Sequence, residues 1–303
     1  MSKPPSAPAL LAPEPGPTTL KSRPWGGDRL ARLRAAPPSI VRPIGESWEF
    51  STMPGSESRS DGSPLSAVLG RSLPLLAKLL DTGDRLSIQV HPDDDDATGR
   101  AGKEEAWVVL AADPGAEVLA GVRDGVDAAT LAAAVRAAVA GAADESTLTS
   151  LLQRIPVETG TVVLVPAGTI HAVGAGILLA ELQQASDCTL RLYDYGSGRE
   201  LHVDAALAHS RIAARPGIWQ PGSAPNAMRG KHLALEILGP GSHERSAADD
   251  ELVVAVGPTR IRTDGTEHAL PAGALRLATP GLRYRIDVPD RATVVVGALP
   301  RPR

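Results

Sequence analysis

The sequence predicts a mainly β protein: two β-barrels in tandem, with a small helical insertion in the first. Three observations carry this expectation. Short β-branched runs at residues 107–110, 117–120 and 162–165 continue at 177–183 and 189–193, separated by Gly, Pro and Asp, as in a sandwich or barrel. One stretch breaks the rule, with Leu131, Val135 and Val139 at four-residue spacing behind Asp127. Finally, a glycine-framed element occurs twice. Gly160 and Gly168 stand eight residues apart with His171 three further on, and Gly273 and Gly281 repeat the spacing with Tyr284 in the histidine's place.

In chain order, residues 1–20 are rich in proline and expected to be extended. Residues 21–212 form the first barrel. Its insertion, about 127–154, is read as two helices packed outside the sheet. Asp127 caps the first helix, and Leu148, Leu151, Leu152 and Ile155 recur at helical intervals in the second. Residues 213–228, with Arg215-Pro216-Gly217 and Pro221-Gly222, are read as a linker. Strands resume over 229–303, read as a second, degenerate and metal-free barrel.

Composition narrows the function. The 303 residues suffice for two ordinary cores. A net charge of −4 gives nucleic-acid binding no electrostatic support. With Cys188 as the single cysteine, an intrachain disulfide and a thiolate-rich zinc site are excluded, which fits a reducing cytoplasm. The stretch around residues 7–12 is a poor signal peptide, and no apolar run is long enough to span a bilayer. A cytoplasmic protein without membrane partner, and a monomer, is expected. Phe50 is the single phenylalanine, so the core must be largely aliphatic.

Chemistry is concentrated in two segments. In an extended strand Gln89 and His91 project to one face, and Glu105 follows in Gly102-Lys103-Glu104-Glu105-Ala106-Trp107. The second segment, Gly160 through Pro166, Gly168 and His171, has the Gly-x5-Pro-x-Gly-x2-His spacing of the downstream half of a cupin metal site. Either histidine alone reads as an ordinary strand residue. Together, two imidazoles, a carboxylate and an amide oxygen suit zinc or another first-row divalent ion, with room left for water or substrate. The run Asp93 to Asp96 reads instead as a solvated turn or helix start.

At these residues the chain resembles the type I mannose-6-phosphate isomerases (phosphomannose isomerases) of the cupin superfamily, in their compact bacterial form. The resemblance rests on Pro24-Trp25-Gly26-Gly27, Gly45-Glu46-Ser47-Trp48-Glu49, Leu73-Pro74-Leu75-Leu76-Ala77-Lys78 and Leu86 through Asp94. It continues through Gly102 to Trp107, Pro166 to Ala172 and Glu181 to Asp194. It implies two cupin-type jelly-roll barrels. It also implies one zinc ion per chain bound by Gln89, His91, Glu105 and His171, an active-site Arg191, and Lys78 in the sugar-phosphate pocket. The chain departs from the family pattern at Glu104, where Thr or a similar residue is usual, and at Tyr195, where Trp is usual. The general cupin asparagine is replaced by Ala175. Glu104, one residue from a ligand, is expected to point away from the site.

The implied reaction interconverts mannose 6-phosphate and fructose 6-phosphate by moving a proton between carbons 2 and 1 through an enediol. Arg191 can stabilise the developing charge or hold phosphate, with an ion pair to Asp187 or Asp194 as the plain alternative. Lys78, amid leucines, must snorkel or meet an anion, either substrate phosphate or Asp81 or Asp84. The general base stays open among Glu181, Lys78 and a ligand-adjacent histidine. Trp25 walls the sugar or fills the core, and Glu46 and Glu49 read as a structural strand beside the pocket. A sugar-phosphate-binding regulator without turnover, an isomerase of a related hexose phosphate, and a redox-metal oxygenase are the competing functions.

Overall fold

The computed structural model describes residues 7–14 and 16–300. Residues 1–6 and 15 of the expected N-terminal extended segment lie outside them. Its remainder joins the fold, since Leu10–Leu11 pairs antiparallel with Leu275–Ala278.

The protein is mainly β, as expected, and its strands stack in layers. A central seven-stranded sheet runs in the order Gly217–Trp219, Val162–Val165, Glu105–Ala112, Ile177–Gln184, Leu75–Thr82, Leu20–Gly27 and Ile44–Phe50. A five-stranded sheet faces it, in the order Leu152–Pro156, Glu117–Val122, His171–Val173, Ile88–Val90 and Leu190–Tyr193. On the other side lies a six-stranded sheet built mainly from Ala234–Leu238, Glu251–Ala255, Leu275–Ala278 and Val294–Ala298. A four-stranded sheet, Gly241–Ser246, Arg283–Val288, Thr259–Thr263 and Thr266–Leu270, closes the stack. The sheets end in free edges and do not close as barrels. The central and five-stranded sheets make up a first module and the six- and four-stranded sheets a second, and the central sheet is covered on both faces.

Double burial explains the near-continuous apolar strands. Along Glu105–Ala112, Ala106 and Val108 face the six-stranded sheet, while Trp107 and Val109 face the five-stranded one. Along Ile177–Gln184, Ala180 and Leu182 face one way and Leu179 the other. One cluster therefore spans both modules, running from Leu75 and Leu182 to Leu235, Leu252 and Val295.

Two helices of the insertion, Ala128–Val139 and Glu145–Thr149, pack Leu131, Val135 and Leu148 on the outer face of the five-stranded sheet. Asp127 caps the first by accepting from Thr130 N at 2.7 Å. The second is shorter than its pattern suggests. Leu152 and Ile155 lie in the strand Leu152–Pro156, where pairing with Glu117–Val122 overrides a helical spacing. Segment 213–228 carries two short strands, Gly217–Trp219 pairing with Val162–Val165 and Ala227–Arg229 with Ala234–Leu238. No helix among the described residues is long and apolar enough to cross a membrane.

The glycine-framed repeat is structural. Gly160 and Gly168 have φ of +96° and +83°, and Gly273 and Gly281 have +79° and +89°, a region that disfavours side chains. Gly160 N donates to Val109 O and Gly273 N to Ala255 O, both at 2.8 Å. Gly168 N donates to His91 O and Gly281 N to Ala247 O, again at 2.8 Å. These bonds align Arg245 with Gln89, Ala247 with His91, Glu251 with Glu105 and Tyr284 with His171. In the second module the aligned groups bind one another. The Tyr284 hydroxyl donates to Glu251, and Arg245 Nε donates to the Tyr284 oxygen at 3.1 Å. Arg245 also pairs with Glu251 at 3.2 Å and Glu236 at 2.7 Å.

Candidate metal centre and its pocket

Strand register builds the site from two facing rows. Across the five-stranded sheet, His171 pairs with Gln89, and Gln89 with Arg191. Across the central sheet, Trp48 pairs with Lys78, Lys78 with Glu181, and Glu181 with Trp107. One register step away, Gln183 pairs with Glu105. Paired residues share a face, so the rows meet in the gap between the sheets. A cavity of 480 Å³ opens there, lined by Gln89, Glu105, Lys78, Glu181 and Arg191 among others. Its size suits a small polar ligand.

Behind the cavity, ligating atoms of His91, Glu105 and His171 lie within 4.8 Å of one another, all buried. His91 Nε2 stands 3.3 Å from Glu105 Oε2, and His171 Nε2 3.3 Å from Glu105 Oε1. Each imidazole is oriented from behind. His91 Nδ1 lies 2.9 Å from the Cys188 carbonyl and His171 Nδ1 2.9 Å from the Thr169 carbonyl. A carbonyl can only accept, so Nδ1 carries the proton and Nε2 presents its lone pair. Burial keeps both rings neutral, with Lys103 adding to the effect, and holds His91 down to about 3. Glu105 Oε1 has no hydrogen-bond donor among the described residues, and Oε2 meets the Lys103 ammonium at 2.8 Å. Neutral, pre-oriented imidazoles beside an under-satisfied carboxylate fit a divalent ion such as zinc. Gln89 lies beside the group, its Nε2 3.3 Å from His171 Nε2 and its Oε1 3.2 Å from Ser87 Oγ.

Lys103 emerges only from the structure. It is 4% exposed, with Nζ 3.1 Å from His91 Nε2, 2.8 Å from Glu105 Oε2 and 3.8 Å from Glu181 Oε1. Burial alone would depress its pKa, but the Glu105 and Glu181 carboxylates overcome this and hold it above the ordinary lysine value. Those acids are partly neutralised by this cation, which sits among the metal-type donors. The sequence signal was available, since Lys103 is two residues from Glu105 and alternation sends both to one face.

The remaining site residues have definite partners. Lys78 pairs with Glu181 Oε1 at 3.4 Å and lies 4.9 Å over the Trp48 ring, not with Asp81, which instead accepts from Leu30 N at 2.8 Å. Burial raises the Glu181 pKa, Lys103 and Lys78 opposing it and Glu105 reinforcing it. Asp194 pairs with Arg199, which leaves Arg191 with no ion pair among the described residues and its buried Nε without an acceptor. Glu46 pairs with Arg23 at 2.8 Å in the cavity wall, and Trp25 lines the cavity while remaining buried in the core. Glu49 points the other way, to Arg34 at 2.9 Å. Arg23 and Arg199 reach the cavity from positions that no motif singled out. Of the aspartate run, Asp93 and Asp94 are engaged by cations, with Lys231 Nζ at 3.0 and 3.3 Å.

A family model describing the catalytic domain of type I phosphomannose isomerase matches residues 52–114. A mannose-6-phosphate isomerase of Streptococcus mutans is 37% identical over 208 residues, 60% of this chain and 63% of that protein. A mannose-6-phosphate isomerase of Bacillus subtilis is 35% identical over 222 residues, 65% of this chain and 67% of that protein. The chain thus spans slightly under two thirds of the first relative's length. Among solved structures, the mannose 6-phosphate isomerase from Bacillus subtilis superposes with a TM-score of 0.73 at 26% identity, covering 97% of this chain and 100% of that one. A mannose 6-phosphate isomerase bound with zinc and yttrium shares the fold, with a TM-score of 0.67 at 15% identity over 96% of this chain and 100% of that one.

Proposed function

The chain belongs to the mannose-6-phosphate isomerase family, and on that premise we propose that it interconverts mannose 6-phosphate and fructose 6-phosphate with one zinc ion held by Gln89, His91, Glu105 and His171. The observation that carries the reading is the pair of imidazoles with Nδ1 fixed by backbone carbonyls and Nε2 directed at the Glu105 carboxylate. Gln89 joins through its amide oxygen after a half-turn of the amide, an orientation that the Ser87 hydroxyl serves equally well as donor or acceptor. A divalent ion at this position supplies Lewis-acid polarisation of the sugar's carbonyl and hydroxyl oxygens.

The chain's own groups supply the rest. Glu181 moves the proton between carbons 2 and 1. Its raised pKa makes it a better base than an exposed carboxylate, the residue lines the cavity, and its buried Oε1 has no hydrogen-bond donor among the described residues. Lys78 and Lys103 flank it within 3.4 and 3.8 Å and steady charge as the proton moves. Arg191, with no ion pair among the described residues, takes the phosphate or the developing enediolate charge. Residues 21–212 form the catalytic module and 229–303 the second. The enzyme works in the cytoplasm as a monomer in this reading.

Turnover of mannose 6-phosphate before and after chelation, with zinc add-back, tests the proposal. Activity is expected to vanish on chelation and return with zinc, and His171→Ala is expected to lose metal and activity together. Full turnover by metal-free protein would overturn the metal's role. Zinc binding without turnover would leave a sugar-phosphate binder.

A further inference from the structure

We infer that Glu104 and the turn at residues 230–233 form a clamp through which the second module positions the metal-bearing segments of the first. The inference rests on the metal reading above. Glu104 is 2% exposed and points away from the cavity. Its carboxylate accepts three backbone N–H groups of the second module, from Lys231 at 2.9 Å, His232 at 2.9 Å and Leu233 at 2.7 Å. Converging N–H groups of this kind form an anion-binding nest, here filled by a protein carboxylate.

The same turn grips the other ligand segment. Lys231 Nζ reaches Asp93 and Asp94, two and three residues beyond His91, and His232 Nε2 lies 2.8 Å from Asp94 Oδ2. Gln184 closes the ring. Its Oε1 accepts from Glu104 N at 2.9 Å and its Nε2 donates to Asp94 Oδ1 at 3.0 Å. The segments carrying His91 and Glu105 are thus tied to each other and to one turn of the neighbouring module. Gly230 is what lets the turn approach, since a Cβ there would stand 2.2 Å from Glu104 Oε1. The acid belongs to this chain's own pattern, because the family resemblance places Thr or a similar residue at this position. Glu104 is therefore a positioning residue, acting on the metal through Glu105 and His91.

The test times zinc release to a chromogenic chelator from wild type and from Glu104→Ala, Glu104→Gln, Gly230→Ala and Lys231→Met, with thermal unfolding measured in parallel. Glu104→Ala and Gly230→Ala are expected to release zinc about tenfold faster or more, the scale on which supporting contacts of metal ligands act. Glu104→Gln keeps an acceptor oxygen and is expected to fall between them and wild type. Arg245→Met, which disturbs the second module elsewhere, is expected to lower the unfolding temperature while zinc release stays at the wild-type rate. Should Glu104→Ala fail to fold, Glu104→Gln and Lys231→Met carry the measurement, each expected to release zinc faster than wild type. Wild-type release rates in all folded clamp variants, or equal acceleration in Arg245→Met, overturn the clamp alone. A wild-type protein that retains no zinc overturns the metal reading, and the clamp with it.

Discussion

Lys103 and Glu181 show how little a residue's type says about its work until its neighbours are known. Both are buried charges, and both persist because each faces the opposite sign within 3.8 Å. Their substitutions should separate. Glu181→Gln is nearly isosteric and is expected to cut kcat by about a hundredfold or more while zinc stays bound, the scale of a lost acid–base group. Wild-type kcat in that variant would remove Glu181 from the proton path. Glu46 offers a pH-dependent test away from the ligands. Burial alone would raise it, but Lys78 and Arg23 hold it down to about 2 from the ordinary 4.5. Its folded pKa lies below its unfolded one. Its contribution to stability is therefore fully present above about 4.5 and is lost as pH falls towards about 2. Urea unfolding across that window should depend less steeply on pH in Glu46→Gln than in wild type. Equal slopes would refute the assignment.

At the scale of elements, the helix Ala128–Val139 is decided locally. Its Asp127 cap accepts from Thr130 N, so Asp127→Ala should lower the midpoint of chemical unfolding. The second-module cluster is decided by the repeat. Where the first module has the candidate metal group, the second has Arg245, Glu251 and Tyr284 bonded to one another, so a guanidinium supplies the positive charge. Removing that cation leaves Glu251 facing the Tyr284 hydroxyl without its counter-charge. Arg245→Met is expected to destabilise the protein by on the order of 3 kcal/mol, the scale for breaking a largely buried pair. A loss well under 1 kcal/mol in the same unfolding measurement would show that solvent already supports Glu251.

The whole molecule is held together by a core that ignores the module boundary. Leu182 of the central sheet lies so close to Gly297 that a Cβ there would stand 2.4 Å from Leu182 Cδ2. The same cluster continues through Leu235 and Leu252. Calorimetry of the full chain should therefore show one cooperative transition, because neither module can lose its partner without exposing that shared face. Two well-separated transitions would contradict a common core. On the proposed function, zinc should raise the midpoint as its concentration exceeds the dissociation constant, since His91, Glu105 and His171 come together only in the folded state.

By itself the sequence determined what depends on local order. Glycine spacing announced the repeated element, and the four-residue rhythm behind Asp127 announced the first helix. The motifs also led to the family. What only the tertiary structure decided depends on contacts between distant segments. Leu152 and Ile155 became a strand because Glu117–Val122 lay ready to pair. The sheets stay open, and the central one serves two cores. Lys78 found Glu181 and not Asp81, Lys103 entered the ligand group, and Glu104 reached the second module, each by strand register or layer packing. Periodicity says which face a side chain takes. Which group waits on the opposite face is set by pairings between residues far apart in the chain, whose energies no local window contains.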